Sequence, residues 1–178
     1  MAHVSTGWVV SRILRVIGVD VPRGWAVVDV DISGASSGVA LGEFVDGSEV
    51  LSFANVVSRY KPAAVAIEVP IEPYIGGRGA KGNEGQRRAV VVSLMACARL
   101  GGRIEERAST LGLPCVVMDA SESRRAFGIR GDGETAIDRS VKATVDMHVR
   151  GWPKRSNSHN RDAAIAALFA GKHLMAKT

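Results

Sequence analysis

Cysteine is scarce: Cys97 and Cys115 are the two in a chain of 178 residues. They lie far apart in apolar surroundings, with neither a metal-ligand spacing nor the makings of a disulfide framework. They read as reduced core thiols of a cytosolic protein. No apolar run approaches the ~20 residues that cross a bilayer, and the N-terminal residues lack the apolar segment of a signal peptide, so no membrane role is expected. No internal repeat is visible, which sets solenoid and propeller architectures aside. Acidic residues are outnumbered, 18 against 23 Lys and Arg, which leaves a net charge of +5.

What is present is a globular composition, 46 % hydrophobic and 23 % charged. That suits one domain over residues 1–178 with a proper core. A basic balance favours a polyanionic partner by attraction and counterion release. The basic residues concentrate after residue 77: Arg78, Lys81, Arg87, Arg88, Arg124, Arg125, Arg139, Lys142, Lys154, Arg155 and Arg161.

Residues 13–19 form a continuous β-branched and apolar run, the mark of a central strand. Residues 25–32 (WAVVDVDI) and 37–45 (SGVALGEFV) alternate as strands, with Ser33 to Ser36 as the turn between them. Short connections join the three into an antiparallel meander. Residues 49–60 carry Val50, Leu51, Ala54 and Val57 at helical spacing, and Pro62 ends that helix. A fourth strand is expected over 63–69. Residues 70–88 (PIEPYIGGRGAKGNEGQRR) hold two prolines and many glycines, a long loop of the kind that is functional or disordered. A long helix over 84–111, a strand over 114–118 and helices over 121–126, 134–149 and 158–175 follow. The order implies a mixed α/β sheet of five strands, three antiparallel and two parallel, flanked by helices.

Acids fall at defined places in this scheme. Asp20 ends the first strand and Glu68 the fourth, with Glu72 a rival on the loop beyond. If the two strands lie parallel and adjacent, both carboxylates emerge at one sheet edge. Asp162 opens the last helix, whose Ile165, Ala166 and Phe169 are expected to pack on the sheet and turn Asp162 inward. Clustered carboxylates raise one another's pKa, and a divalent cation removes the conflict. Hard oxygen ligands suit Mg²⁺ or Mn²⁺, and two such ions activate water and stabilise the leaving oxygen in phosphodiester cleavage. His159, three residues before Asp162, shares its helical face and is a further ligand or a proton shuttle. Taken singly, each acid also has an ordinary reading: a turn former for Asp20, a solvated loop acid for Glu68, a helix-start charge for Asp162 and a helix-start residue for His159.

The "IGVD", "AIEVP" and "HNRDAAIAAL" segments resemble the RuvC-type Holliday junction resolvases of the ribonuclease H superfamily. The resemblance implies a ribonuclease H-like fold and a homodimer that cuts four-way DNA junctions. It also implies Mg²⁺ held by Asp20, Glu68 and Asp162, two ions per site with Mn²⁺ able to substitute, and His159 as a further ligand or proton carrier. "GQRRAVVVSLMACA" looks like the start of the family's long second helix, which contributes to the dimer interface and borders the DNA. The chain departs from the family in the turn after its first acid, Val21-Pro22-Arg23-Gly24. It departs again at Ile71, where the family has a junction-wedging aromatic; Tyr74 is the nearest. Arg139 and Lys142 are the candidates for the family's lysine before the last helix.

Arg78 and Lys81 on the loop, and Arg87 and Arg88 at the helix start, are candidate phosphate contacts, which position DNA without reading its sequence. Tyr74 is a candidate for base stacking. "GGRGAKG" is not a Walker A loop, since no Gly-Lys-Ser/Thr opens a helix. Gly101-Gly102 within a helical pattern costs roughly 1 kcal/mol per glycine, which close packing of a homodimer partner would offset. Asp29 and Asp31 read as the solvent face of a strand, and His148 and His173 as helix-surface residues. Two other functions fit the same residues: a related nuclease acting on RNA or flap DNA, and a non-catalytic junction-binding module.

Overall fold

The computed structural model describes residues 13–69 and 83–177. The expected strands form in the expected order: β1 (Ile13–Asp20), β2 (Gly24–Asp31), β3 (Ser36–Glu43), β4 (Ala64–Glu68) and β5 (Cys115–Met118). The helices are α1 (Glu49–Tyr60), α2 (Glu84–Thr110), α3 (Ala120–Ala126), α4 (Glu134–His148) and α5 (Ser158–Met175).

A sixth strand, β6 (Val149–Arg150), was not expected; residue 149 was assigned to the helix. It pairs in parallel with Ser36 and Ser37 of β3. Two residues carry no strand period, so only tertiary pairing creates it. Trp152 just beyond lies against Gly38, where an added Cβ would sit 3.2 Å from the indole. The sheet order is β5-β4-β1-β2-β3-β6. β1, β2 and β3 run as an antiparallel meander, while β4 lies parallel to β1 and β5 parallel to β4.

Helices cover both faces of the central strands. On one face Val16, Ala26, Val28, Ala64 and Ala66 pack with α5, backed by Val141 and Val145 of α4. On the other, Ile17, Val19, Val27, Val65 and Ile67 meet Phe53 and Val56 of α1 and Ile104 and Ala108 of α2. Two-sided burial is why β1 and β4 read as unbroken apolar runs. In α1 the buried side chains are Phe53 and Val56, whereas Leu51, expected on the apolar face, is 65 % exposed.

α5 approaches the sheet more closely than its expected Ile165–Ala166–Phe169 face implies. It is buried on nearly every side, with Ala163 through Leu168 fully inaccessible. Its closest contacts follow a four-residue spacing: Gly18 of β1 lies under Ala163 and Ala167, Gly24 of β2 under His159, and Val30 under Gly171. A Cβ on Gly18 would fall 1.7 Å from the Ala163 carbonyl oxygen, so only glycine fits there.

Gly101 of α2 is likewise filled from within the chain. A Cβ there would sit 2.5 Å from Val69, while one on Gly102 would meet open space. The close approach expected from a homodimer partner at this pair is thus made, at Gly101, by the end of β4. Cys97 and Cys115 are free thiols, both partly buried rather than fully in the core. Burial pushes the Cys115 thiol up to about 12. Among the described residues, no helix is long and apolar enough to cross a membrane.

Candidate active site

β1 and β4 end together, with Asp20 and Glu68 as partners in the parallel register. Neighbouring strands lie about 4.7–4.9 Å apart. Side chains alternate across a strand, so Asp20 and Glu68 share the face of Val16, Ala64 and Ala66, toward α5. Gly24 is the β2 partner of Asp20 and leaves room there for His159.

The start of α5 is held in place. Asn157 caps the helix, and its side chain and that of Asn160 satisfy each other's backbone N–H groups in a capping box. The buried Asn160 also donates from Nδ2 to the carbonyl of Gly42, 2.7 Å away. This anchor sets the residues on either side of it over the strand ends. His159 Nδ1 lies 2.6 Å from Asp20 Oδ2. Asp162 Oδ1 accepts from Arg124 Nη2 of α3 at 2.9 Å.

Asp20, Glu68, His159 and Asp162 all line one cavity of about 660 Å³, together with Arg124 and Asp119. Glu68 is 7 % exposed, and its Oε2 is buried with no hydrogen-bond partner. Burial, then the negative charges of Asp162 and Asp20, push the Glu68 carboxyl well above the usual range. Burial also raises Asp162, against the opposing pull of Arg124. The hydrogen bond that His159 donates to Asp20 raises the imidazole, which favours an imidazolium beside that carboxylate.

As the side chains stand, no group of three or more His, Cys, Asp or Glu among the described residues is arranged to hold a metal ion. Arg124 occupies Asp162, and His159 occupies Asp20. The donor chemistry nevertheless fits a hard divalent cation: Asp20, Glu68 and Asp162 are among the carboxylates facing one cavity, and Glu68 keeps a buried oxygen without a partner. Unpaired buried carboxylates are costly, and oxygen-rich sets of this kind suit Mg²⁺ or Mn²⁺.

The other candidates from the sequence lie outside this cavity or outside the described residues. Tyr74, Arg78 and Lys81 fall on residues 70–82, outside the described part of the chain. Arg87 and Arg88 are exposed on the first turns of α2. Arg139 is exposed on α4, its Nε donating to the Thr135 carbonyl, and the exposed Lys142 pairs with Asp146 at 2.9 Å. The exception is Arg161, which lines the cavity but is buried and bonds Asp138 and the Ser156 carbonyl, a scaffold role.

The sequence reading of the site does not include Arg124, Asp119, Glu134 or Asp138, which also line the cavity. Arg124 was seen only as one of many basic residues. Asp119 directly follows β5, one residue beyond the strand-ending position that Asp20 and Glu68 hold, so a search for acids at or just after strand ends finds it. Asp119 is committed locally: its carboxylate caps α3 through the Glu122 N–H and also bonds Ser121.

No family model and no curated protein matches the sequence. Solved structures match in shape. A Thermus thermophilus RuvC in complex with Holliday junction substrate superposes with a TM-score of 0.62 at 17 % identity, covering 92 % of this chain and 96 % of that one. The fold is RuvC-like. A second Thermus thermophilus RuvC structure gives a TM-score of 0.59 at 19 % identity, covering 92 % and 97 %. The ribonuclease H-like sheet with its flanking helices is therefore present over nearly the whole length of the RuvC chains. At this identity the likeness concerns the path of the backbone, and the roles of side chains rest on the geometry described above.

Proposed function

We propose that the protein is a metal-dependent endonuclease that resolves four-way DNA junctions by paired nicks. The observation that carries this reading is the convergence of Asp20, Glu68 and Asp162 on one cavity, with Glu68 Oε2 buried and without a hydrogen-bond partner. It is supported by the shape shared with a RuvC that is seen in complex with Holliday junction substrate.

Asp20, Glu68 and Asp162 would hold the cations, with His159 as a further ligand or proton carrier. When bound, a pair of Mg²⁺ ions supplies an activated water and stabilises the leaving oxygen of the scissile phosphodiester. The chain's own contribution is placement. The strand ends fix Asp20 and Glu68, and the anchored start of α5 brings Asp162 and His159 over them. The imidazole, held by Asp20 at 2.6 Å, is placed to take and return a proton at Nε2 while that carboxylate fixes its orientation.

DNA would be held by the charges of Arg87 and Arg88 on α2 and of Arg139 and Lys142 on α4, with Arg78 and Lys81 as further phosphate contacts and Tyr74 as a base-stacking residue. A homodimer supplies the two sites that paired nicks require. The N-terminal half of α2 offers it an apolar surface, with Val92 59 % and Met95 50 % exposed.

The test is a labelled four-way junction, a plain duplex and an RNA–DNA hybrid, each incubated with Mg²⁺ or with EDTA, beside the Asp20→Asn variant. Symmetric cuts confined to the junction, dependent on Mg²⁺ and absent in the variant, are expected. Equal cleavage of duplex or hybrid would point to a different nuclease, and tight metal-independent junction binding without product to a binding module.

A further inference from the structure

Arg124 stands in the wall between two cavities of opposite character. On one side is the carboxylate cavity, where its guanidinium bonds Asp162 at 2.9 Å with both side chains largely buried, 22 % and 15 % exposed. On the other is a smaller hollow of about 370 Å³, lined by Arg125, Arg130, Gly128 and Gly131 as well as Arg124 itself. Its charged lining residues are all arginines, so it suits an anion.

Arg124 also acts beyond its direct contact. Its guanidinium bonds Asp162 and lines the cavity that Glu68 and Asp20 also face, so one cation stands beside the whole cluster. A side chain that neutralises a carboxylate cluster stands where a cation would otherwise stand. A guanidinium and a divalent ion within about 4 Å of each other repel strongly in a partly buried site, so Asp162 cannot serve both well.

We propose that Arg124 is a tethered counter-cation of the carboxylate cluster, exchanged for the divalent metal as the site loads, and that the displaced guanidinium turns into the arginine-lined hollow to grip a DNA phosphate. This rests on the metal-dependent reading above and adds a coupling to it. Before metal arrives, Arg124 supplies the positive charge paired with Asp162 in the carboxylate cavity. After it arrives, the same residue becomes a phosphate ligand, since guanidinium binds phosphate oxygens through paired N–H donors. Metal loading and DNA binding then reinforce each other, and by linkage the reinforcement is mutual.

Mn²⁺ titrated calorimetrically into the DNA-free protein tests the exchange. Arg124→Gln should bind Mn²⁺ on the order of tenfold more tightly than the wild type, because removing one nearby charge shifts such equilibria by about a decade or more. Arg124→Lys, which keeps the charge, should stay near the wild type. In EDTA the Gln variant should melt at a lower temperature and gain more from added Mn²⁺. With Ca²⁺ as a probe, the gain in affinity for a labelled four-way junction should be smaller in the Gln variant than in the wild type. Mn²⁺ binding that is unchanged or weaker in Arg124→Gln overturns the exchange. If that variant does not fold, the side-chain Nε–H resonance of Arg124 in the wild type decides: it should shift on Mg²⁺ addition, and a resonance that does not move overturns the proposal. A wild type that binds no Mn²⁺ removes the metal-dependent function itself, an outcome distinct from intact binding without any effect of Arg124.

Discussion

Glu68 is the residue in which stability and chemistry conflict most openly. Its carboxyl is buried, lacks a partner at Oε2 and faces two other acids. The unfolded chain ionises Glu68 near its usual value of about 4.5, while the folded chain resists ionisation to a much higher pH. The folded state therefore loses stability as pH rises from that value toward the raised one. Glu68→Gln should remove this loss. In EDTA at neutral pH, urea denaturation should show the variant more stable than the wild type by about 1–3 kcal/mol, with a margin that shrinks toward pH 4. On the proposed metal-dependent reading, Mg²⁺ should stabilise the wild type and not this variant. A variant less stable than the wild type in EDTA would contradict this account of the site.

Among the elements, α5 matters most because the positions of His159 and Asp162 depend on its depth. Backbone contact with the sheet at Gly18 and Gly24 places His159 and Asp162 over the strand ends. Gly18→Ala inserts a methyl 1.7 Å from the Ala163 carbonyl, which no side-chain adjustment can relieve. It should destabilise the protein by about 3 kcal/mol or more, read from a denaturation midpoint. Gly24→Ala presses on His159 instead, where the new Cβ would sit 2.7 Å from the histidine backbone. It should impair Mg²⁺ binding through displacement of the helix start. Ile165, Ala166 and Phe169 pack in the core as expected, but a helix buried on nearly every side has no amphipathic stripe to show which residues come closest to the sheet.

For the molecule as a whole, the long α2 is the feature not accounted for by the core. A helix of 27 residues reaches about 40 Å. Its fully buried residues, Gly101, Ile104 and Ala108, all lie in its C-terminal half. The other half presents Val91, Val92 and Met95 to the outside. Scattered apolar residues are common on surfaces, but a contiguous helical set invites a partner. Val92→Glu with Met95→Glu should convert a dimer, measured by sedimentation, into a monomer. The same pair should abolish paired nicks while leaving the fold intact by circular dichroism. A wild type that sediments as a monomer at micromolar concentration would remove the dimer from the scheme.

Local chemistry was enough to place most elements of this protein. Continuous apolar runs marked the two-sided strands β1 and β4, alternation marked the meander, and Pro62 marked a helix end. Acids at the ends of those two strands were legible as strand-end residues, while the parallel pairing of β1 with β4 that brings them together is decided by the fold. β6 was not legible, because two residues have no period of their own and acquire strand geometry from β3 alone. Nor was Arg124, whose pairing with Asp162 spans 38 residues of chain. Charge type and count are written along the chain, but which cation meets which carboxylate follows from packing, since only the folded arrangement sets the distances on which electrostatic pairing depends.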